Sequence, residues 1–228
     1  MTLHPEIAAV LAGESDGCII TGDCLEIMAD MPDGCVDAVV TDPPYGIGIT
    51  RSPRISVSRG MGGGTWDDAP ASAAQISEMH RQGTDVIIWG GNYFALPPTR
   101  CMLVWDKIND GRDFADVELA WTNLDAVARI FRVRPQNMDG GKVHPTQKPI
   151  ALMEWCIRKT LGTIVLDPFC GSGTTCVAAK KLGRKYIGIE IDEKYAETAR
   201  RRVASTPRPL FTEPPVRQPE PTLFGDEQ

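Results

Sequence analysis

The decapeptide VVTDPPYGIG, residues 39–48, places a carboxylate and a tyrosine on a tip that two prolines stiffen. Because proline fixes backbone dihedrals, the Asp42 side chain and the Pro43 carbonyl can point at one spot. There they can accept both hydrogens of an amino group on a planar ring, on which Tyr45 can stack. A plain surface turn accounts for Pro43 and Pro44, but not for the acid and the aromatic. These four residues are therefore the candidate catalytic residues.

A second stretch, DPFCGSGTT at 167–175, follows an apolar run and opens a segment with helical periodicity. Gly171 and Gly173 permit a tight turn and close approach of a ligand to the backbone. Glu190 lies 19 positions past Gly171, where an acid can accept hydrogen bonds from both ribose hydroxyls. The glycine spacing is not the dinucleotide fingerprint, and Asp167 is a poor neighbour for pyrophosphate. The pattern favours a nucleotide-like ligand with an ammonium group, or else a turn that serves packing alone.

The elements that must hold these two tips form an α/β pattern, since apolar runs alternate with helix-period segments. Strands are predicted at 18–23, 36–42, 85–90, 101–107, 163–167 and 185–191, and helices at 24–31, 71–82, 149–161, 173–183 and 193–203. Asp42 and Asp167 then lie at the C-terminal ends of strands, where open α/β sheets bind ligands. Residues 46–68 are predicted to form a long mobile loop, and the stretch from 107 to about 140 has no regular pattern.

Composition excludes several classes of protein. The seven cysteines are an odd number without a C-x-x-C pair, so neither a disulfide framework nor a zinc site is predicted. No apolar run reaches the roughly 18–20 residues that span a bilayer, and no secretory leader pattern is present, so we expect a cytoplasmic protein without membrane contact. The formal charge of −6 argues against nonspecific coating of nucleic acid but allows a local basic groove.

Three stretches resemble, in order, the beta-class (permuted) DNA methyltransferases that act on amino groups. They are TDPPYG at 41–46, HPTQKP at 144–149, and DPFCGSGTT together with GIEID at 188–192. The resemblance covers residues 18 to about 203. It implies a circularly permuted, Rossmann-like methyltransferase fold, with a mostly parallel seven-stranded sheet, one strand of it antiparallel, flanked by helices. It also implies S-adenosylmethionine as cofactor and double-stranded DNA as partner.

The resemblance assigns roles residue by residue. It places Asp42, Pro43, Pro44 and Tyr45 in the catalytic motif. It implies that Asp23 contacts the adenine of the cofactor and that Thr146 and Lys148 lie near its methionine end. The remaining cofactor residues that it implies are Asp167, Phe169, Gly171, Gly173, Thr174 and Glu190.

The implied reaction is direct methyl transfer to the N6 amine of adenine, with no metal and no covalent enzyme intermediate. Cytosine N4 is the alternative, because the same geometry serves either amine; the acid that opens the motif, Asp42, favours adenine in this family. Methylation of RNA or of a protein glutamine would normally come with the cofactor motif first. A nucleotide- or DNA-binding module without catalysis is a further alternative, which the presence of both motifs disfavours.

Contacts with DNA are predicted in two places. The loop after the catalytic tip carries Arg51, Arg54 and Arg59, which either contact phosphates or form a solvated loop. The target-recognition segment of this class falls between the two halves, here at about 107–143. Its basic residues are Lys107, Arg112, Arg129, Arg132 and Arg134. A segment so short predicts either a short recognition site or additional DNA contacts from a second subunit. In the second case the protein would be a homodimer.

Residues 1–205 are predicted to form the methyltransferase domain and 206–228 a flexible, proline-rich tail. EPTLF at 220–224 resembles the pentapeptide that binds the bacterial sliding clamp, although Glu220 stands where that motif usually has Gln. The tail is therefore predicted either to dock on a clamp or to act as a plain solubilising segment.

Overall fold

The computed structural model describes residues 2–48, 67–109, 115–135 and 147–209. Several predicted features lie outside these residues. They are the three arginines of the loop after the catalytic tip, Arg112, Thr146, and the clamp-like pentapeptide of the tail.

The described strands form one sheet of eight, in the order β1-β8-β7-β2-β3-β5-β4-β6. Their bounds are β1 Gly17–Thr21, β2 Val36–Thr41, β3 Gly83–Trp89, β4 Met102–Asp106, β5 Val117–Thr122, β6 Arg129–Arg132, β7 Ile164–Asp167 and β8 Lys185–Glu190. Only β5 runs against its neighbours, β3 and β4. The predicted α/β class, with a mostly parallel sheet and one antiparallel strand, is confirmed.

The described sheet has one strand more than the predicted seven. The edge strand β6 has only four residues, and Arg129 and Arg132 flank its Ile130 and Phe131. So short a run of mixed polarity gives no strand signal by itself, and its pairing with β4 determines its conformation.

Helices cover both faces of the sheet. The α-helices among the described residues are α1 Pro5–Ala12, α2 Cys24–Ala29, α3 Ala73–Gln82, α4 Ile150–Ile157, α5 Thr174–Lys181 and α6 Glu193–Ser205. Their buried residues divide into two core clusters, one with α1, α2 and α3 and the other with α4, α5 and α6. Neighbouring residues of a strand alternate between these clusters, as Val39 and Val40 of β2 do. Strands buried on both faces explain the near-continuous apolar runs of the sequence.

Pairing of the strands brings the two motifs to one edge of the sheet. Val39 of β2 pairs with Leu166 of β7, so the chain leaves both strands side by side, at Asp42 and Asp167. Because β5 is antiparallel, its first residues lie at this same edge, next to the ends of β3 and β4. Among the described residues, no helix is both long and apolar enough to cross a membrane.

Candidate active site

The catalytic tip, residues 42–46, contributes Asp42 to a partly buried cluster of charges. The Asp42 Oδ1 accepts a hydrogen bond from the Tyr45 hydroxyl at 2.5 Å, and its Oδ2 lies 2.6 Å from Lys148 Nζ. Lys148 also pairs with Glu118 at 2.9 Å, and Glu118 pairs with Lys107 at 2.5 Å. Two carboxylates therefore alternate with two ammonium groups, which balances the charge of the cluster.

Burial and the neighbouring charges shift the pKa values of this cluster. Burial raises the pKa of Asp42 and Glu118 raises it further, against the opposing effect of Lys148. Burial alone would lower the pKa of Lys148, but Asp42 and Glu118 raise it above its ordinary value. Although burial favours the neutral acid, Lys148 and Lys107 lower the pKa of Glu118 to about 2. Lys148 and Glu118 are thus both charged at neutral pH.

An aromatic group holds the Tyr45 ring. This ring stacks on Tyr93 with a centroid distance of 4.9 Å and an interplanar angle of 14°, and Phe94 meets it edge-on at 6.3 Å. Gly90 lies so close that an added Cβ would be 2.1 Å from a ring carbon of Tyr45. Position 90 must therefore be glycine, both for this contact and for its φ of +71°.

The segment from Asp67 to Ala71, which follows the arginine-rich stretch, is hydrogen-bonded to the catalytic tip. The buried Asp67 Oδ1 accepts hydrogen bonds from the backbone N–H groups of Tyr45 at 2.9 Å and Gly46 at 3.0 Å. The Ala71 N–H donates to the Pro44 carbonyl at 3.1 Å. These bonds fix the direction of the tip after its prolines. Asp67 is not among the residues predicted from the sequence, although an acid three positions after the glycine-rich run 60–64 was the available signal.

The loop after β7 is held by the acid at its start. Asp167 is buried and accepts hydrogen bonds from the Thr41 hydroxyl at 2.7 Å and from the Phe169 N–H at 3.1 Å. Burial raises the pKa of Asp167 to about 6, although hydrogen bonds from Thr175 and Thr41 oppose the shift. Through Thr41, this loop is joined directly to the end of β2 and so to the catalytic tip.

Glu190, at the end of β8, is hydrogen-bonded to the loop between β7 and α5, residues 168–173, which we call the glycine loop. Its Oε2 accepts from the Gly171 N–H at 2.8 Å, and its Oε1 accepts from the Asp192 N–H at 2.9 Å. Burial raises the pKa of Glu190. The two loop glycines have different surroundings: a Cβ on Gly171 would meet nothing within 4 Å, whereas a Cβ on Gly173 would lie 2.7 Å from the Ala199 Cβ.

A cavity of about 670 Å³ lies between the catalytic tip and the glycine loop. The predicted site residues that line it are Asp42, Pro44, Lys148, Asp167, Phe169, Gly171, Thr174 and Glu190. Its size falls within the roughly 300–1,000 Å³ of small-molecule sites. The open space above Gly171 leaves room for a ligand against the backbone, and the carboxylates of Glu190 and Asp167 suit hydroxyl groups and an ammonium. The cavity therefore fits a nucleoside that carries an amino acid.

Other predicted residues lie beside the cavity instead of on its wall. Asp23 caps the start of α2, where its Oδ1 accepts a hydrogen bond from the Leu25 N–H at 2.7 Å. It stays near the Glu190 end of the site, because the Gly22 N–H donates to the Glu190 carbonyl at 2.9 Å. Pro43 is buried in the tip, and Gly173 packs against α6.

Lys148 is the residue whose surroundings differ most from those that the resemblance implies. It lines the cavity, yet its ammonium is bound by Asp42 and Glu118. Sequence reasoning missed Glu118, which enters the cluster only because β5 is antiparallel. A single acid inside the otherwise apolar strand VELAWT was the signal that could have identified it.

Comparison with known proteins gave consistent matches. A family model described as DNA methylase matches residues 104–201. The Escherichia coli (strain K12) protein described as "Putative methylase YubD" is 30% identical over 220 residues, which cover 84% of this chain and 92% of that protein.

Two solved structures share the fold. The M1.HpyAVI–SAM complex has a TM-score of 0.54 at 24% identity, covering 82% of this chain and 98% of that chain. The PvuII DNA methyltransferase, described as cytosine-N4-specific, has a TM-score of 0.56 at 17% identity, covering 82% of this chain and 86% of that chain.

Proposed function

This chain is a DNA methyltransferase of the N6/N4 DNA methylase family that uses S-adenosylmethionine, and we propose that it methylates the N6 amine of adenine in double-stranded DNA. The observation that carries the proposal is the position of Asp42. Asp42 directly follows β2, and it forms part of the wall of the cavity that the glycine loop also lines. An amine held by Asp42 would therefore lie directly beside the cofactor.

The chemistry assigned to the tip follows from the weakness of the nucleophile. The lone pair of adenine's amine is delocalised into the ring, so acceptors that face its hydrogens must return electron density to nitrogen. Asp42 accepts one hydrogen and the Pro43 carbonyl the other. Bound S-adenosylmethionine would supply an electrophilic methyl carbon, and its sulfur would keep the electron pair of the broken carbon–sulfur bond. As the amine nitrogen gains the methyl group, Asp42 would take up one amine proton.

The residues assigned to the cofactor act by binding and orientation. Glu190 accepts from the ribose hydroxyls, and its backbone-bonded carboxylate is already fixed for this role by Gly171. Asp167, which lines the cavity, is assigned to the ammonium of the methionine part. Asp23, at the Glu190 end, is assigned to the adenine of the cofactor. Thr146 is assigned to the methionine end of the cofactor by its sequence motif alone.

Adenine is preferred to cytosine because the motif begins with an acid. Cytosine N4 is the second candidate, since the same fold serves the cytosine-N4-specific PvuII enzyme. Methylation of adenine N6 and of cytosine N4 can be distinguished by product analysis. The protein is incubated with S-adenosylmethionine and unmethylated duplex DNA of mixed sequence, the DNA is digested to nucleosides, and the product is identified by mass. We expect N6-methyladenine. N4-methylcytosine would contradict the adenine assignment, and DNA without new methyl groups would contradict the proposed activity.

A further inference from the structure

Glu118 is a half-buried acid that none of the roles assigned above uses. It is the second residue of β5, and its side chain is 24% exposed. Its Oε2 lies 2.9 Å from the Lys148 ammonium and its Oε1 lies 2.5 Å from that of Lys107. Lys148 is therefore bound between two carboxylates, with Asp42 on its other side at 2.6 Å.

The position of Lys148 poses a problem for catalysis. A cation 2.6 Å from Asp42 draws electron density from the oxygens that must accept the amine hydrogens, and it occupies part of their space. The Lys148 side chain is only 4% exposed, so little water reaches its ammonium to take the place of Asp42. Removing the sole partner of a buried charge is strongly unfavourable. An ammonium that must release Asp42 therefore needs a second carboxylate within reach, which Glu118 provides.

We propose that Glu118 is a positioning residue for methyl transfer: it holds Lys148 when the target amine reaches Asp42 and so leaves the Asp42 carboxylate free to accept the amine hydrogens and then the departing proton. The inference rests on the proposed role of Asp42. Lys148 needs only a small movement, because it already contacts both acids. Lys107 fixes the other oxygen of Glu118 and keeps this acid in place.

The charged groups around Asp42 set the direction of the pH effects. The titratable groups that act on it are Tyr45 on its own tip, Lys148 before α4, Glu118 on β5, Asp167 at the end of β7, and Lys107 after β4 through its contact with Glu118. Glu118 raises the pKa of Asp42. Neutralising Glu118 therefore lowers that pKa, whereas removing the Lys107 charge raises it.

The first variant to test is Glu118→Gln, which keeps the shape and removes the charge. Among the described residues, Asp42 is then the one carboxylate that pairs with Lys148. We expect kcat to fall about tenfold, part of the hundredfold or more that a positioned acceptor typically contributes. We also expect the acidic limb of the kcat profile to move to lower pH, because activity requires ionised Asp42. The dissociation constant for S-adenosylmethionine should stay unchanged.

A second measurement does not depend on turnover. The Asp42 carboxyl is followed by carbon NMR in protein labelled at aspartate, without cofactor and without DNA. Its titration should move to lower pH in Glu118→Gln and to higher pH in Lys107→Gln. Opposite shifts from two variants that each break the same ion pair cannot come from loss of structure alone.

Glu154→Gln is the matched control. Glu154 pairs with Lys181 at 2.8 Å, and its side chain is 21% exposed, close to the 24% of Glu118. We expect the kcat of Glu154→Gln and the titration of Asp42 in this variant to equal those of the wild type. The inference is overturned if Glu118→Gln leaves the Asp42 titration unchanged, or if its kcat matches the wild type. Failure of the proposed function gives a different result, a wild-type protein that transfers no methyl group to DNA.

Discussion

The Thr41 hydroxyl donates a hydrogen bond to Asp167 at 2.7 Å and thereby joins the catalytic tip to the glycine loop. The two residues are 126 positions apart in the chain, yet both are buried at neighbouring strand ends. Methyl transfer needs the amine and the methyl carbon in one geometry, and small displacements are costly. This bond is therefore both a structural contact and a constraint on the distance between the two halves of the site.

Replacing Thr41 by Val keeps the shape of the side chain and removes this donor. The unfolding free energy should fall by about 1–3 kcal/mol at neutral pH, where the buried Asp167 is ionised and loses a partner. Because the pKa of Asp167 is raised from 3.8 to about 6, the stability that protonated Asp167 contributes is present below pH 4 and is lost as pH rises through 6. The Thr41 hydroxyl opposes this loss by bonding the ionised carboxylate. Thr41→Val should therefore destabilise the protein more at pH 7.5 than at pH 4.5, as measured by urea unfolding.

Thr122→Val is the control for this prediction. The Thr122 hydroxyl is equally buried and donates at 2.7 Å, but to the neutral carbonyl of Cys101. Its loss should cost the same free energy at both pH values. An equal pH dependence of the two variants would contradict the role assigned to the Asp167 charge.

Glu190→Ala should weaken binding of S-adenosylmethionine by about 1.5–3 kcal/mol, the range for hydrogen bonds to a charged group. The variant loses the proposed ribose contacts and also the bond that fixes the Gly171 N–H. Isothermal titration calorimetry with the cofactor alone measures the effect. The nearby Glu193→Ala, which removes an exposed ion pair with Arg200, should bind like the wild type. Unchanged affinity in Glu190→Ala would remove this residue from the site.

The two loop glycines should respond differently to alanine. Gly171→Ala meets open space, so its cost to stability is limited to the roughly 1–2 kcal/mol of a left-handed backbone, while the added methyl group enters the cavity and weakens cofactor binding. Gly173→Ala adds a clash with Ala199 to the same backbone cost and should lower the unfolding free energy more. Thermal unfolding and cofactor titration of both variants test this. Equal stability losses would contradict the distinction.

Local pattern was sufficient to predict the strands that carry the motifs. Strand β2 is buried on both faces, and its apolar run ends at the acid that the tip presents. Helix α1 was missed, although Pro5 at its start and Gly13 at its end, with a φ of +87°, are ordinary boundary signals. Helix α4 ends at Ile157, earlier than its apolar pattern indicates, and the chain then turns so that the Leu161 N–H donates to the buried Asp85.

The contacts that complete the catalytic cluster could not be predicted from the sequence. The direction of β5 depends on its pairing with β3 and β4, and only this direction brings Glu118 to Lys148. Spacing along the chain likewise gives no sign that Lys148 pairs with Asp42. Residues that act through long-range ion pairs carry no local pattern, whereas those on rigid turns do.

The central claim is that Asp42 acts on the target amine and that the cofactor is bound by other residues. Asp42→Ala tests it most directly, because Lys148 keeps Glu118 as a partner and the fold does not depend on Asp42 alone. Methyl transfer to duplex DNA should fall at least about a hundredfold, the usual effect of losing a positioned acceptor. The dissociation constant for S-adenosylmethionine, measured on the same preparation, should equal that of the wild type. Asp125→Ala, at an exposed position, is the control, and both its rate of methyl transfer and its dissociation constant should equal those of the wild type. A variant that keeps more than about a tenth of the wild-type rate, or that loses cofactor affinity in step with its rate, would contradict the account.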